Sequence, residues 1–170
     1  AIIAVILAVG CFSYWQGGVN VKDTFADISV EAPLGSKTKL YLPDGTLVWL
    51  NAGSRIIYSQ GFGVDNRKVE LEGEGYFEVR RNEKLPFFVK TKDLQLQVLG
   101  TKFNVEGYSD KDDFEVTLME GSVRVASRIG LGDTLMLKPD SKACLQKDGR
   151  LKVIPVDDYN PYRWKEGLIC

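Results

Sequence analysis

The stretch LYLPDGTLVWLNAGS, residues 40–54, decides how the rest of the chain is read. Asp44, Thr46, Asn51 and Ser54 crowd around two glycine-containing turns there, so the segment is either a polar site or a corner of a sheet. Local chemistry favours the corner. Pro43 presets φ for the first turn position, Asp44 suits the second, and Gly45 takes the left-handed residue. That order predicts a three-residue hairpin loop with a bulge at the glycine, pairing Leu42 with Thr46 and Leu40 with Val48. Leu40, Leu42, Val48 and Leu50 then share one face, and Tyr41, Leu47 and Trp49 the other. Both faces are apolar, so the hairpin is expected inside a packed structure, where each fully buried large side chain contributes roughly 1.5–3 kcal/mol. Asn51 and Ser54 bracket Ala52-Gly53, read as the next reversal, with their side chains capping backbone groups.

Working outward, period-2 alternation dominates after Lys22. Segments of this kind are FADISVEA (25–32), KTKLYL (37–42), TLVWLN (46–51), RKVELEG (67–73), YFEVRR (76–81), FFVKT (87–91) and LQLQVLG (94–100). They continue with KFNVEGY (102–108), FEVTLMEG (114–121), SVRVASR (122–128), DTLMLKP (133–139), KACLQ (142–146) and RLKVIP (150–155). Turn signals punctuate them, among them Gly61-Phe62-Gly63, Gly73-Glu74-Gly75, Glu120-Gly121 and Asp148-Gly149. Many short strands at this spacing predict an all-β sandwich or roll of antiparallel strands. Phe-x-Val recurs at Phe77, Phe103 and Phe114, at irregular spacing, as strand grammar rather than a solenoid repeat.

The 170 residues carry a formal net charge of −1 and no histidine. A balanced, slightly acidic surface has no electrostatic footprint for nucleic acid. Without histidine there is no Ser-His-Asp or Cys-His nucleophile pair and no histidine-ligated zinc or haem. Cys11, Cys144 and Cys170 are too far apart for a CxxC motif, and an odd count gives no complete disulfide framework. Asp110, Asp112 and Asp113 lack the glycine and distal Glu of an EF-hand loop and are read as a solvated hairpin tip. Glu70, Glu72, Glu74 and Glu78 raise the question of paired carboxylates. Alternation puts Glu70 and Glu72 on an outer face opposite Val69 and Leu71, so a solvated face is expected. Arg80, Arg81, Lys90 and Lys92 are read as edge charges that deter strand pairing. No residue is assigned a catalytic, metal or cofactor role.

Residues 1–21 carry no charged side chain. AIIAVILAVGCFSYW begins without Met or a basic lead, so the sequence is read as a piece of a longer or processed protein. The uncharged segment reaches the ~20 residues that span a bilayer. It is read as a transmembrane helix, with Ile2, Val5 and Leu7 in the apolar run and Tyr14 and Trp15 as an interfacial belt. Ala8-Val9-Gly10-Cys11 also resembles a lipobox, which keeps open a lipid anchor at Cys11 carrying a carbohydrate- or protein-binding β module. The expected organisation is a membrane helix and juxtamembrane segment over 1–21, a β domain over 22–158, and the start of another subdomain over 159–170.

Five motifs in order resemble the FecR family of membrane-spanning anti-sigma regulators: LPDGTLVWLNAGSRIIY (42–58), RKVELEGEGYFEV (67–79), PFFVKT (86–91), LQVLGTKFNVEGY (96–108) and VTLMEGSVRV (116–125). Each alone is generic β sequence, but their joint order is specific. Gly45, Gly53, Gly73, Gly100 and Gly121 fall at the family's turn positions. WKEGLIC (164–170) resembles the opening of the small α/β subdomain that follows, which makes Trp164 and Gly167 candidate partner-contact residues, with Trp164 as a plain core anchor the other reading. The resemblance implies a non-enzymatic relay without cofactor. The signalling domain of an outer-membrane TonB-dependent transporter, importing an iron siderophore or a glycan, contacts the periplasmic part. An extracytoplasmic-function sigma factor is held by a cytoplasmic segment ahead of an inner-membrane helix.

Overall fold

A computed structural model describes residues 27–108, 114–130, 132–159, 162, 164 and 165. The membrane-helix residues Ile2, Val5, Leu7, Tyr14 and Trp15, together with Cys11, Asp110, Asp112, Asp113 and Gly167, lie outside the described residues. Among the described residues no helix is long and apolar enough to cross a membrane.

Among the described residues the all-β expectation holds, with thirteen strands. Five of them build a bent corner. These are β1 (Ile28–Glu31), β2 (Thr38–Tyr41), β3 (Leu47–Leu50), β4 (Arg55–Tyr58) and the long β5 (Arg67–Glu78). The expected hairpin is present: Leu40 pairs with Val48, and the Leu42 amide donates to Thr46 O at 2.9 Å. Ala52-Gly53, however, is not a reversal. β3 and β4 do not pair with each other; both run antiparallel to β5, β3 against Gly75–Glu78 and β4 against Val69–Glu72. The chain therefore bends at residues 51–54 and keeps its direction. The same holds for β1 and β2 across residues 32–37, which lie outside that bend. Residues 32–37, 51–54 and 73–74 thus form three tracks of six, four and two residues around one corner. Outer tracks need more chain, as the lanes of a bulged sheet do.

Gly73 sits on the tightest track. Its φ is +88°, and a Cβ there would lie 2.4 Å from Ser54 Oγ and 2.9 Å from Ser54 Cα. Only glycine combines that backbone with that approach. RKVELEG and YFEVRR, expected as two strands with a turn between them, are accordingly one strand that passes from one sheet to the other. RIIY (55–58) lacks strict alternation and was not expected as a strand; as β4 it completes the corner.

The remaining strands extend the two sheets from β5. On one side lie β6 (Phe87–Lys90), β7 (Leu94–Val98), β10 (Val123–Ser127) and β11 (Thr134–Leu137), giving sheet A the order β1-β4-β5-β6-β7-β10-β11. On the other lie β8 (Lys102–Gly107), β9 (Glu115–Glu120), β12 (Ser141–Leu145) and β13 (Leu151–Pro155), giving sheet B the order β2-β3-β5-β8-β9-β12-β13. All pairs are antiparallel except β5 with β6. A parallel pair needs a long crossover, and the sheet-B half of β5 plus the loop 79–86 supplies it. Lys90 therefore lies on an interior strand, paired with Glu70 across β5 at 2.5 Å, rather than at an edge as expected.

The inner faces of both sheets meet in one core. Phe77 and Phe103, register partners on β5 and β8, stack with centroids 5.1 Å apart, and Phe87 meets Phe77 edge-on from sheet A. The Phe-x-Val pairs at 77, 103 and 114 all face inward and are buried. At the far edge the Asp133 carboxylate accepts from the Thr134 and Leu151 amides at 2.9 and 3.0 Å, tying β11 to β13.

Replacing Gly73 by alanine is expected to destabilise the domain by about 2–3 kcal/mol or more, since left-handed strain adds to a backbone clash. Gly35 has φ +77° but nothing within 4 Å of its Cβ position. Gly35→Ala is expected to cost only about 1 kcal/mol. Chemical denaturation of the two variants checks this; equal losses would show that the corner is not tight at Gly73.

Candidate functional site

Asp44 does more than suit its turn. Its Oδ2 lies 2.7 Å from Arg67 Nε, and Arg67 is only 1% exposed. Arg67 also donates to Arg80 O at 2.6 Å and Leu85 O at 2.9 Å, and its guanidinium lies 5.3 Å from the Phe87 ring centroid. Asp44 Oδ1 accepts from the Thr46 amide, and Oδ2 from the Thr46 hydroxyl. Thr46 Oγ1 in turn accepts from the Arg80 amide. One buried ion pair thus clasps the β2–β3 loop, the start of β5 and both ends of the crossover loop. The three Arg67 hydrogen bonds go to a carboxylate and two carbonyls of the chain itself, so the geometry is that of a structural lock. Arg67 was absent from the sequence-based candidates, although alternation places it on the same face as buried Val69 and Leu71.

The four glutamates are scattered. Glu70 and Glu72 are on the outer face of sheet A as expected, paired with Lys90 and Arg55. Glu74 departs from the solvated-face expectation: it is 8% exposed. Asn51 and Asn104 side-chain amides donate to its two oxygens at 2.7 and 2.9 Å, and its own amide donates to Ser54 Oγ at 2.8 Å. Asn51 and Ser54 thus cap the corner through Glu74. Glu78 contacts Lys165 at 3.6 Å. No two of these four carboxylates oppose each other across a cleft, which is what acid/base hydrolysis of a glycoside requires.

The outer face of sheet B is where chain meets chain. Trp49, opposite Tyr76 in register, lies there with Thr117. Tyr159, Tyr162, Trp164 and Lys165 lie over it. The Tyr159 hydroxyl hydrogen-bonds Asp140 at 2.5 Å, and its pKa is pushed up to about 12 by burial and by that carboxylate. Thr117 Oγ1 donates to the Tyr162 hydroxyl at 2.9 Å. Lys37 donates to Trp164 O and its ammonium stands 5.6 Å from the Trp164 ring centroid. The second apolar face of the opening hairpin is therefore not core, as expected, but an outer face partly covered by this segment. Tyr41, at its margin, stays 67% exposed. Cys144 is set beside Glu115 and Lys142 on β12, and burial followed by the Glu115 charge pushes its thiol up to about 11, away from the nucleophilic thiolate form.

The predicted turn residues fall at Pro43, Asp44 and Gly45 in the β2–β3 loop, Gly53 and Gly73 at the corner, Gly100 between β7 and β8, and Gly121 between β9 and β10. Gly73 is within a strand rather than at a turn.

These features define a β module with a bent shared strand. The FecR protein family model matches residues 28–124. The chain belongs to the FecR family. Two crystal structures of a "putative anti-sigma factor" from Parabacteroides distasonis resemble it. One is 32% identical with TM-score 0.75, covering 82% of this chain and 65% of that one. The other is 31% identical with TM-score 0.76, covering 84% and 66%. The chain thus spans just under two thirds of their length. No curated protein matches it.

Arg67→Ala strands the Asp44 carboxylate in the protein and is expected to cost about 3–5 kcal/mol. Asp44→Asn keeps an oxygen for the Thr46 amide but turns its NH2 toward the Arg67 Nε–H and leaves the buried guanidinium without its counter-charge, so it is expected to cost a comparable amount. Urea melts of both variants test this, and a neutral effect of either would remove the clasp from the account.

Proposed function

We propose that this chain is the extracytoplasmic portion of an anti-sigma regulator. The reading is carried by one observation: the FecR family match runs through the corner and its neighbouring strands, over residues 28–124. In this proposal the uncharged residues 1–21 anchor the protein in the inner membrane and the β domain stands in the periplasm. The signalling domain of a TonB-dependent outer-membrane transporter is the input. An extracytoplasmic-function sigma factor, bound by a segment ahead of the membrane anchor, is the output. Trp164 and Gly167 begin the part proposed to meet the transporter.

The physical properties suit a relay that works by contact. The module is non-enzymatic in this proposal; its buried charges lock loops together instead of facing a substrate. β5 joins both sheets, so a load applied to one reaches the other through backbone rather than through side-chain contacts alone. Its neighbour β4 holds β1, the strand through which the chain enters the domain.

Deleting residues 25–160 from the intact regulator is expected to abolish substrate-induced transcription of the sigma-dependent promoter while leaving the sigma factor itself expressed. A reporter assay with and without the imported substrate measures this. Unchanged induction in the deletion strain would sink the relay.

A further inference from the structure

The outer face of sheet A holds a cavity of about 600 Å³, within the roughly 300–1,000 Å³ of small-molecule sites. Its floor is apolar. Alternation turns Ile57 and Phe88 outward into it, while Ile56, Phe87 and Val89 fill the core. The strand register sets that floor among polar side chains. Ile57, Glu70, Lys90 and Gln95 form one row across β4, β5, β6 and β7, and Lys68 is the partner of Phe88. Ser59 and Asn66 also line the cavity. Ser59 Oγ is buried and has no hydrogen-bond partner. Asn66 Oδ1 accepts from the Lys68 amide at 3.1 Å, which leaves its Nδ2 as a donor. The charges of the lining cancel: Glu70 and Lys90 pair at 2.5 Å, and Asp27 offsets Lys68.

A buried hydroxyl without a partner carries its desolvation cost uncompensated, and a polar group of a ligand would relieve it. Hydroxyl and amide side chains offer donors and acceptors together, which suits a ligand whose own groups do both. The balanced lining favours neither an anion nor a cation. An acyl chain would cover the floor but leave Ser59, Asn66 and Gln95 unpaired. A sugar ring meets every one of these conditions, since the C–H groups of one face pack on an aromatic ring while its hydroxyls reach the surrounding polar groups. We propose that this cavity is a subsite for a neutral saccharide, whose C–H face rests on Phe88 and Ile57 and whose hydroxyls bond Ser59, Asn66 and Gln95. The inference does not rest on the anti-sigma reading.

The test titrates the full chain with cellotetraose, maltotetraose and tetra-N-acetylchitotetraose, following backbone amide resonances by NMR. At least one of the three is expected to shift the Ile57, Ser59 and Gln95 amides saturably, with a Kd of about 1 mM or tighter. Phe88→Ala removes the platform from an outward position and is expected to weaken that binding about tenfold. Ser59→Ala removes a hydroxyl that no residue of the chain uses and is expected to weaken it about threefold. Thermal melting checks that both variants are folded, and Ser59→Ala carries the test if Phe88→Ala is not. N-acetyl-trialanine amide, a neutral peptide of similar length, is expected not to bind. Binding of none of the three saccharides, binding undiminished in the folded variants, or equal binding of the peptide would each overturn the proposal.

Discussion

Everything in this domain is arranged around the bend of β5 at Gly73. A strand that crosses from one sheet to another must turn without giving up its ladder on either side. The three tracks at the corner solve this by chain length, six residues outside four outside two. The inner track leaves no room for a side chain, so Gly73 meets Ser54 directly, and Ser54 repays the approach by accepting the Glu74 amide. Glu74 is then held between Asn51 and Asn104, which fixes the corner to β8. With both sheets hung on one continuous backbone, a single core can fill the space between them.

Two polar devices secure the ends of that strand. At its start Arg67 and Asp44 join the β2–β3 loop to the crossover loop 79–86. A buried pair of this kind is weak evidence for net stability but strong evidence for a fixed arrangement, because either charge alone is costly to leave. At its end Tyr76 and Glu78 receive Lys165 from the C-terminal segment. The outer face of sheet B is thus engaged by the chain itself, while the outer face of sheet A carries exposed ion pairs. Both devices fix the position of one segment of the chain against another, which suits the contact relay proposed for it.

The sequence was most informative where chemistry is local. Pro43-Asp44-Gly45 names its own turn, and the alternation of Val69, Leu71, Phe103, Val105 and Val116 names its own inward face. It was misleading at Ala52-Gly53 and Gly73-Glu74-Gly75. Glycine marks a change of backbone direction but does not say whether the chain folds back or continues in another sheet. Arg-Ile-Ile-Tyr at 55–58 escaped notice because two adjacent apolar residues hide the period of a strand at a corner. Arg67 was within reach, since an arginine on an inward position demands a buried acceptor. The apolar outer face of Trp49 was not, because its cover comes from Lys165, more than a hundred residues along the chain. Asp44 looked sufficient as a turn residue, and its second role depended on a partner that no local pattern names.

The central claim is that β5 makes the two sheets one mechanical unit. Native-state hydrogen exchange along β5 tests it most directly, comparing hydrogen-bonded amides of Val69–Glu72 with those of Gly75–Glu78 as denaturant is raised. The account predicts that both halves merge into the same global opening, with the same free energy and denaturant dependence. Two separate plateaus, one sheet opening while the other stays protected, would contradict it.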